Sequence, residues 1–400
     1  MADITFREYT PDDAEDLLEI RNAIFPPLTV QQWRKTEHEN TASMAYEGDE
    51  VVGAIPLEYR TFKLAPGCDI SVCFEHAVGT REDMRGRGIG SGMIQKAREF
   101  LQDRCEMLLV YRGAERSIGY NFYVKSGHVD LIYMRGGTWD PNESPPSASD
   151  NCSAGDLDDL LAQSEDIHPV YQAMYGDIGG FPPRSDAGYW QRAMSRGIYM
   201  VIPQITHFIR YPAEGDIEAY LILGQRTGER ADQPWIVQEA ASSSGPEALR
   251  EVFNTAGAMA ADEDKTIQWS MQWEHPLRDF AADMGFETEL RGMMIMGQVL
   301  APQRLFKKAC VDESLVEDLR IRVWTPTTDY VLYEGPQAKT EVTIEAKDWA
   351  MIRLLARRLD LAGCVAQDIV TVHNGTLDII ERITSALPYN PWCYHAIDYT

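Results

Sequence analysis

The residues with the clearest chemical potential form the run Arg85-Gly86-Arg87-Gly88-Ile89-Gly90-Ser91. It follows an apolar stretch and opens a segment whose apolar positions, Met93, Ile94, Ala97 and Leu101, recur at helical spacing. Glycines there let backbone amides turn inward and approach a ligand, and a helix N-terminus favours negative charge. Arg85 and Arg87 add positive charge, so the implied ligand carries phosphates. A P-loop would need Gly-Lys-Ser/Thr, which is absent. The dinucleotide fingerprint GxGxxG also fails, because counting from Gly86 puts Ser91 where the last glycine belongs.

Two flanking segments carry candidate proton-transfer groups. Downstream, Tyr120 and Tyr123 lie in Tyr120-Asn121-Phe122-Tyr123-Val124-Lys125-Ser126-Gly127-His128. A phenol with an ordinary pKa of about 10 keeps its proton at neutral pH and suits an acid role. Upstream, Glu75 and His76 are candidate bases, and the period of a strand sends them to opposite faces, so one at most addresses a substrate. Eight histidines show no HExxH or paired ligand spacing, so no metal centre is expected. No GxSxG elbow is present, which disfavours a hydrolase. Cys393 and His395 are close, but no third group in the sequence orients the histidine as a nucleophile's base requires.

The elements around these residues read as mixed αβ structure. Asp3 to Tyr9 is strand-like, and Thr10-Pro11-Asp12-Asp13 is a helix start. Ser43 to Tyr46 and Val51 to Leu57 read as a hairpin about Glu47-Gly48-Asp49-Glu50. A run from Ile70 to Thr80 precedes the glycine-rich segment, a helix covers Ser91 to Asp103, and strands follow at Met107 to Tyr111 and Val129 to Met134. Asn142 to Ala154, rich in Ser, Pro, Asn and Asp, is the clearest linker. A second αβ stretch runs from about Asp156 to Leu300. A third begins near Arg304 and has a basic helix from Trp349 to Leu359, a turn at Gly363, a strand from Asp368 to Val372 and a helix from Thr376 to Leu387. A faint repeat links the first two stretches. Met107 to Tyr111 and then Phe122 to His128 are echoed by Ile267 to Trp273 and then Phe280 to Phe286.

Four hundred residues predict two to four domains at roughly 100–200 residues each. Hydrophobic residues at 44% and charged residues at 25% are ordinary globular composition. Nothing approaches the roughly 20 apolar residues of a membrane helix. No basic region with an apolar run opens the chain, and seven scattered cysteines without CxxC suit a reducing compartment. A cytoplasmic protein with no membrane partner is expected. Lys+Arg 37 against Asp+Glu 62 gives −25, which repels nucleic acid and anionic membranes and attracts cations.

The motif Arg-x-x-Gly-x-Gly resembles the pyrophosphate loop of the Gcn5-related N-acetyltransferases, which use acetyl-CoA. The resemblance implies that Arg85, Gly86, Arg87, Gly88, Gly90 and Ser91 hold the pyrophosphate. It also implies that the opened strand Phe74 to Thr80, with Val78 and Thr80, holds the pantetheine arm. The Val78 amide is the implied oxyanion donor. Asn121 to His128 resembles the family's "FYxxxGF" segment, which makes Tyr123 the implied acid for the departing thiolate. Val170-Tyr171, Gly180-Phe181-Pro182-Pro183-Arg184 and Tyr189-Trp190 resemble a second, degenerate unit of the enhanced intracellular survival family. Asn390 to Thr400 looks like that family's sterol-carrier-like end.

The resemblance therefore implies an α/β (α+β) chain: a catalytic unit at residues 1–145, a degenerate acetyltransferase-like unit at 155–300, and a sterol-carrier-like domain at 301–400. It implies acetyl-CoA-dependent N-acetylation of a small cationic amine, aminoglycoside- or polyamine-like, by direct transfer in a homohexamer. It also places the terminal carboxylate of Thr400 in the catalytic site beside Tyr123, with Glu75 as the rival base. Two departures stand out. The family's "YxRFGY" reads Tyr123-Val124-Lys125-Ser126-Gly127-His128, and the end is Thr400 rather than an aromatic residue. Competing readings are a non-catalytic acyl-CoA or lipid carrier and an acetyltransferase for protein lysines or N-termini.

Overall fold

The computed structural model describes all residues except 1–2, 26, 112–117, 196–203, 227–232 and 400; for 118, 194–195, 288–294, 396 and 399 it describes the backbone alone. The first stretch contains β1 (Ile4–Glu8), α1 (Ala14–Asn22), α2 (Val30–Lys35), β2 (Asn40–Glu47), β3 (Glu50–Ala65), β4 (Cys68–Glu75) and β5 (Gly79–Thr80). It continues with α3 (Ile89–Leu101), β6 (Met107–Tyr111), α4 (Ile118–Lys125) and β7 (Val129–Trp139). Next come β8 (Ser153–Gly155), α5 (Leu157–Ala162), α6 (Ser164–Tyr175), α7 (Tyr189–Ser195), β9 (Gln204–Tyr211), β10 (Ala219–Gln225) and β11 (Trp235–Ser242). This part ends with α8 (Pro246–Asp262), β12 (Ile267–Gln272), α9 (Arg278–Asp283) and β13 (Glu287–Val299). The last stretch holds α10 (Pro302–Ala309), β14 (Leu319–Trp324), β15 (Asp329–Glu334), β16 (Thr340–Ala346), α11 (Asp348–Leu355), α12 (Leu361–Ala366), β17 (Val370–His373) and α13 (Leu377–Ala386).

These elements form two compact units that do not follow chain order: Met1–Leu131 with Met293–Pro391, and Ile132–Gly292 with Trp392–Thr400. In the first unit, β1 to β4 form antiparallel pairs in succession. β4 then pairs parallel with β6, and β6 pairs antiparallel with Ile295–Val299 of β13. The apolar stripe of α3 (Met93, Ile94, Ala97 and Leu101) buries itself on Val52, Ile55, Leu57, Cys73 and Leu108. This packing fixes where the helix begins, and with it the glycine-rich loop. A second sheet of this unit runs β15-β14-β16-β17. Between that sheet and its helices, Phe306, Leu332, Ile344, Met351, Leu354 and Ile383 leave a cavity of only about 10 Å³.

In the second unit, β12 pairs antiparallel with Met134–Trp139 of β7 and parallel with β11, after which β10, β9 and β8 follow antiparallel. The repeat seen in sequence thus exchanges its last strands, since β6 takes β13 and β12 takes β7. Trp235, Phe253, Trp269 and Phe280 centre the core of this unit. The chain end enters this unit too. Trp392, Cys393, Tyr394 and Ile397 are buried, and the Cys393 N–H donates to Gly179 O at 2.8 Å.

Two local expectations differ. The turn at Gly363 is instead inside α12, because the Asp360 side chain caps that helix by accepting from the Gly363 N–H at 2.6 Å. The run Ile70 to Thr80 is not one strand but breaks after Glu75. Among the described residues no helix is long and apolar enough to cross a membrane, and all seven cysteines are free thiols.

Candidate active site

The loop is shaped by two left-handed glycines, Gly86 at φ +79° and Gly88 at φ +78°. A Cβ at either would meet nothing within 4 Å, so the backbone turn rather than crowding requires glycine there. Gly88 is the N-cap of α3 and offers no side chain to the first turn. The first return bond of the helix is Gly92 N–H to Gly88 O at 3.0 Å. The amides of Ile89, Gly90 and Ser91 therefore precede the helical ladder and point toward a helix-end ligand. Arg85 is exposed, with no side-chain partner among the described residues. Arg87 is held by Glu47, 2.9 Å away. Gly90 is small for another reason than the loop reading gives: a Cβ there would lie 2.7 Å from the Phe122 ring of α4.

The broken strand gives the second feature. β4 and β6 stay paired through Glu75 and Val110 and then part. The His76 N–H turns back to Pro56 O at 2.9 Å, Ala77 adopts φ +42°, and Gly79 and Thr80 pair with Ala54 and Gly53 of β3. The other edge of β5 has no strand beside it among the described residues. Val78 and Thr80 thus stand where an extended arm can add to a sheet edge.

Tyr123 lies on α4 and packs with Phe122 against the α3 core, its ring 5.1 Å from Phe122 and 5.2 Å from His128. Tyr120 instead donates its hydroxyl to Asp130 at 3.3 Å. Beside Tyr123, Glu75 Oε1 lies 2.7 Å from His128 Nε2, and both side chains are fully buried. Gln298 Nε2 stands 2.8 Å from His128 Nδ1 and 2.7 Å from Ser126 O. Glu75 Oε2 is buried with no hydrogen-bond partner. An unsatisfied buried acceptor of this kind costs about 1–3 kcal/mol, more when charged. Sequence reasoning found Glu75 but missed His128 and Gln298. The histidine's signal was its place in Gly127-His128, where the resemblance expects an aromatic residue; Gln298 gave none.

On the opposite face, His76 Nε2 lies 3.0 Å from Glu58 Oε2, and Arg60 donates to both Glu58 oxygens at 2.8 Å. Burial pushes the Glu58 carboxyl up, but Arg60 and His76 outweigh it and hold it well below the usual carboxylate range.

Thr400 lies outside the described residues. Asp398, two residues earlier, is committed to the second unit. Its Oδ1 accepts from Arg184 at 2.8 Å and Tyr189 at 2.6 Å, and its Oδ2 accepts from the His395 N–H at 3.0 Å. Cys393, His395 and His275 bring possible ligand atoms within 4.8 Å of one another. Burial pushes the Cys393 thiol up and both imidazoles down, which opposes a thiolate–imidazolium pair. The thiol donates to Gln272 at 3.2 Å, and His275 Nδ1 accepts the Leu277 N–H at 3.1 Å.

Comparison with known proteins bears on the same residues. Residues 5–127 match the family model described as the acetyltransferase (GNAT) family. A search of curated protein sequences finds no match. Among solved structures, the chain is similar to a probable N-acyltransferase of Enterococcus faecalis V583, at 12% identity, 99% of each chain covered and a TM-score of 0.71. A GCN5-related N-acetyltransferase from Kribbella flavida gives 13%, 98% of each chain and 0.64. Eis1 from Mycobacterium abscessus gives 11%, 98% of this chain, 99% of that one and 0.59. At these identities the likeness concerns the fold. The family match covers the loop, the broken strand and α4. Residues 5–127 are thus an acetyltransferase domain of the GNAT family, in an enzyme that takes acetyl-CoA as its cosubstrate.

Proposed function

We propose that this enzyme acetylates a primary amine of a small, cationic molecule, aminoglycoside- or polyamine-like, by direct transfer from acetyl-CoA. The observation that carries the reading is the juxtaposition, in one unit, of the left-handed Gly86 and Gly88 at the start of α3, the open edge at Val78 and Thr80, and Tyr123 beside Glu75. Arg85, Arg87, Gly90 and Ser91 complete the pyrophosphate end. The Val78 amide receives the developing oxyanion, Tyr123 protonates the leaving thiolate, and Glu75 accepts the proton of the ammonium. A net charge of −25 supports a cationic acceptor by steering it toward the protein.

For the carrier reading, the cavity behind Phe306, Leu332, Ile344 and Met351 is about 10 Å³, less than an acyl chain needs, while a wider cleft of about 550 Å³ is lined by Gly127, Gln298, Tyr330, Asp348 and Met351. The test is release of free CoA thiol from acetyl-CoA across aminoglycosides, polyamines, amino acids and peptides. Release with amino sugars or polyamines, and not with peptides, is expected. Binding of acetyl-CoA without thiol release on any amine would turn the reading to a carrier.

A further inference from the structure

We propose that His128, itself held by Gln298, is the positioning residue that orients Glu75 as the proton acceptor, with its second oxygen left without a donor among the described residues. This rests on the reading of Glu75 given above. The proton assignment follows from the hydrogen bonds in order. Ser126 O can only accept, so the atom of Gln298 that faces it at 2.7 Å is the amide nitrogen, a donor. The same nitrogen stands 2.8 Å from His128 Nδ1, and its second N–H points there, so Nδ1 offers its lone pair. The imidazole is then neutral with its proton on Nε2, which it donates to Glu75 Oε1 at 2.7 Å. A carboxylate that receives this bond is held in one orientation by two consecutive buried contacts. Its other oxygen, Oε2, is buried and receives nothing.

Buried polar atoms in folded proteins are satisfied with few exceptions, and a catalytic role is one of the reasons for an exception. An N–H or O–H donor would satisfy this oxygen. An ammonium offers three, and the ring of Tyr123 lies against the other side of the same histidine, 5.2 Å between centroids. The step balances as follows. The ammonium gives one proton to Glu75 Oε2, and the freed lone pair forms the C–N bond at the thioester carbon. The tetrahedral intermediate breaks its C–S bond, and the thiolate takes the proton of the Tyr123 hydroxyl. The second proton leaving the nitrogen restores Tyr123, so the sum is ammonium plus acetyl-CoA giving amide, CoA thiol and one proton, released from Glu75. His128 transfers no proton in this scheme. It positions.

Histidine at 128 also explains the departure noted in the sequence. An aromatic hydrocarbon there would leave Glu75 Oε1 as unsatisfied as Oε2, so Glu75, His128 and Gln298 make sense only together.

The test uses the full chain labelled with ¹⁵N-histidine, together with steady-state kinetics. In the wild type, two-bond N–H correlations should show His128 neutral with Nε2 protonated, its signals assigned by their loss in His128→Gln. Gln298→Leu should lift the constraint and mix the two tautomers. His128→Leu should lower kcat by about 10²-fold, while His128→Gln, which can still donate to Glu75, recovers to within about tenfold, with the acetyl-CoA KM little changed in both. A His128 protonated on Nδ1 in the wild type would overturn the proposal. So would a folded His128→Leu enzyme as active as His128→Gln. If His128→Leu does not fold, the wild-type tautomer and its response to Gln298→Leu decide alone. A fully active Glu75→Gln enzyme would instead remove Glu75 as the acceptor, which is failure of the parent reading and distinct from an inactive Glu75→Gln paired with an active His128→Leu.

Discussion

Nε2 of His76 lies 3.0 Å from Oε2 of Glu58, across the strand pair from the broken end of β4. Arg60 completes the group by donating to both carboxylate oxygens. The consequence is a pH dependence of stability. Burial opposes ionisation of Glu58, but Arg60 and the hydrogen bond from His76 outweigh it, and its pKa in the folded state is depressed. A depressed acid stabilises the fold at pH above its unfolded value, about 4.3, and that contribution is lost as pH falls below it. The stability gap between wild type and Glu58→Gln in urea should be largest near neutral pH and should narrow progressively below about pH 4. A gap that stays constant down to pH 3 would show that Glu58 is not held ionised by its partners.

Gly88 and Gly90 should fail in different ways. Gly88 has φ +78° and open space where a Cβ would stand, so alanine there strains the turn by about 1–2 kcal/mol and displaces the helix-end amides. Gly88→Ala should weaken acetyl-CoA binding with a modest loss of thermal stability. Gly90→Val drives a side chain into the Phe122 ring, so its first effect should be a lowered Tm. Calorimetry of unfolding and of acetyl-CoA binding on both variants separates the two. Equal loss of affinity without loss of stability at Gly90 would show that approach to the pyrophosphate, and not the Phe122 ring, requires its small size.

The loop, α3 and β6 were legible because each has a local signal: glycine spacing, a helical apolar stripe, a short apolar run. The break after Glu75 was not, since Phe74 to Thr80 is continuously strand-like and only the pairing of Gly79 and Thr80 with β3 diverts it. Gln298 was invisible for a related reason. It reaches His128 because β13 crosses to pair with β6, a connection 170 residues long that no local pattern encodes. The buried end of the chain was read as a catalytic arm from resemblance. The partners of Asp398 lie 209 and 214 residues earlier, beyond any periodicity argument.

Tyr123→Phe removes the hydroxyl of the ring that packs on His128, 5.2 Å between centroids. It should lower kcat by about 10²–10⁴ with little change in acetyl-CoA affinity, the usual worth of a positioned acid. Tyr120→Phe should cost far less, because that hydroxyl is spent on Asp130. Single-turnover thiol release on both variants checks the assignment. The opposite ranking would move the acid to Tyr120.

Asp398 gives the sharpest contrast between a structural and a catalytic chain end. Its carboxylate meets Arg184, which is also paired with Glu239 at 2.5 Å and packed over the rings of Tyr171 at 3.9 Å and Tyr189 at 4.4 Å. All three charged side chains are fully buried. Burial raises the Glu239 pKa despite Arg184. Removing one partner of such a pair leaves an uncompensated charge and costs about 3–5 kcal/mol. Asp398→Asn should therefore lower the unfolding midpoint substantially, and Arg184→Met should do the same by orphaning two acids. Where the Asp398→Asn enzyme is folded, its kcat should remain within a few-fold of wild type, since no step of the chemistry uses that carboxylate. A stable Asp398→Asn enzyme with a collapsed kcat would reverse the assignment and return the chain end to the catalytic site.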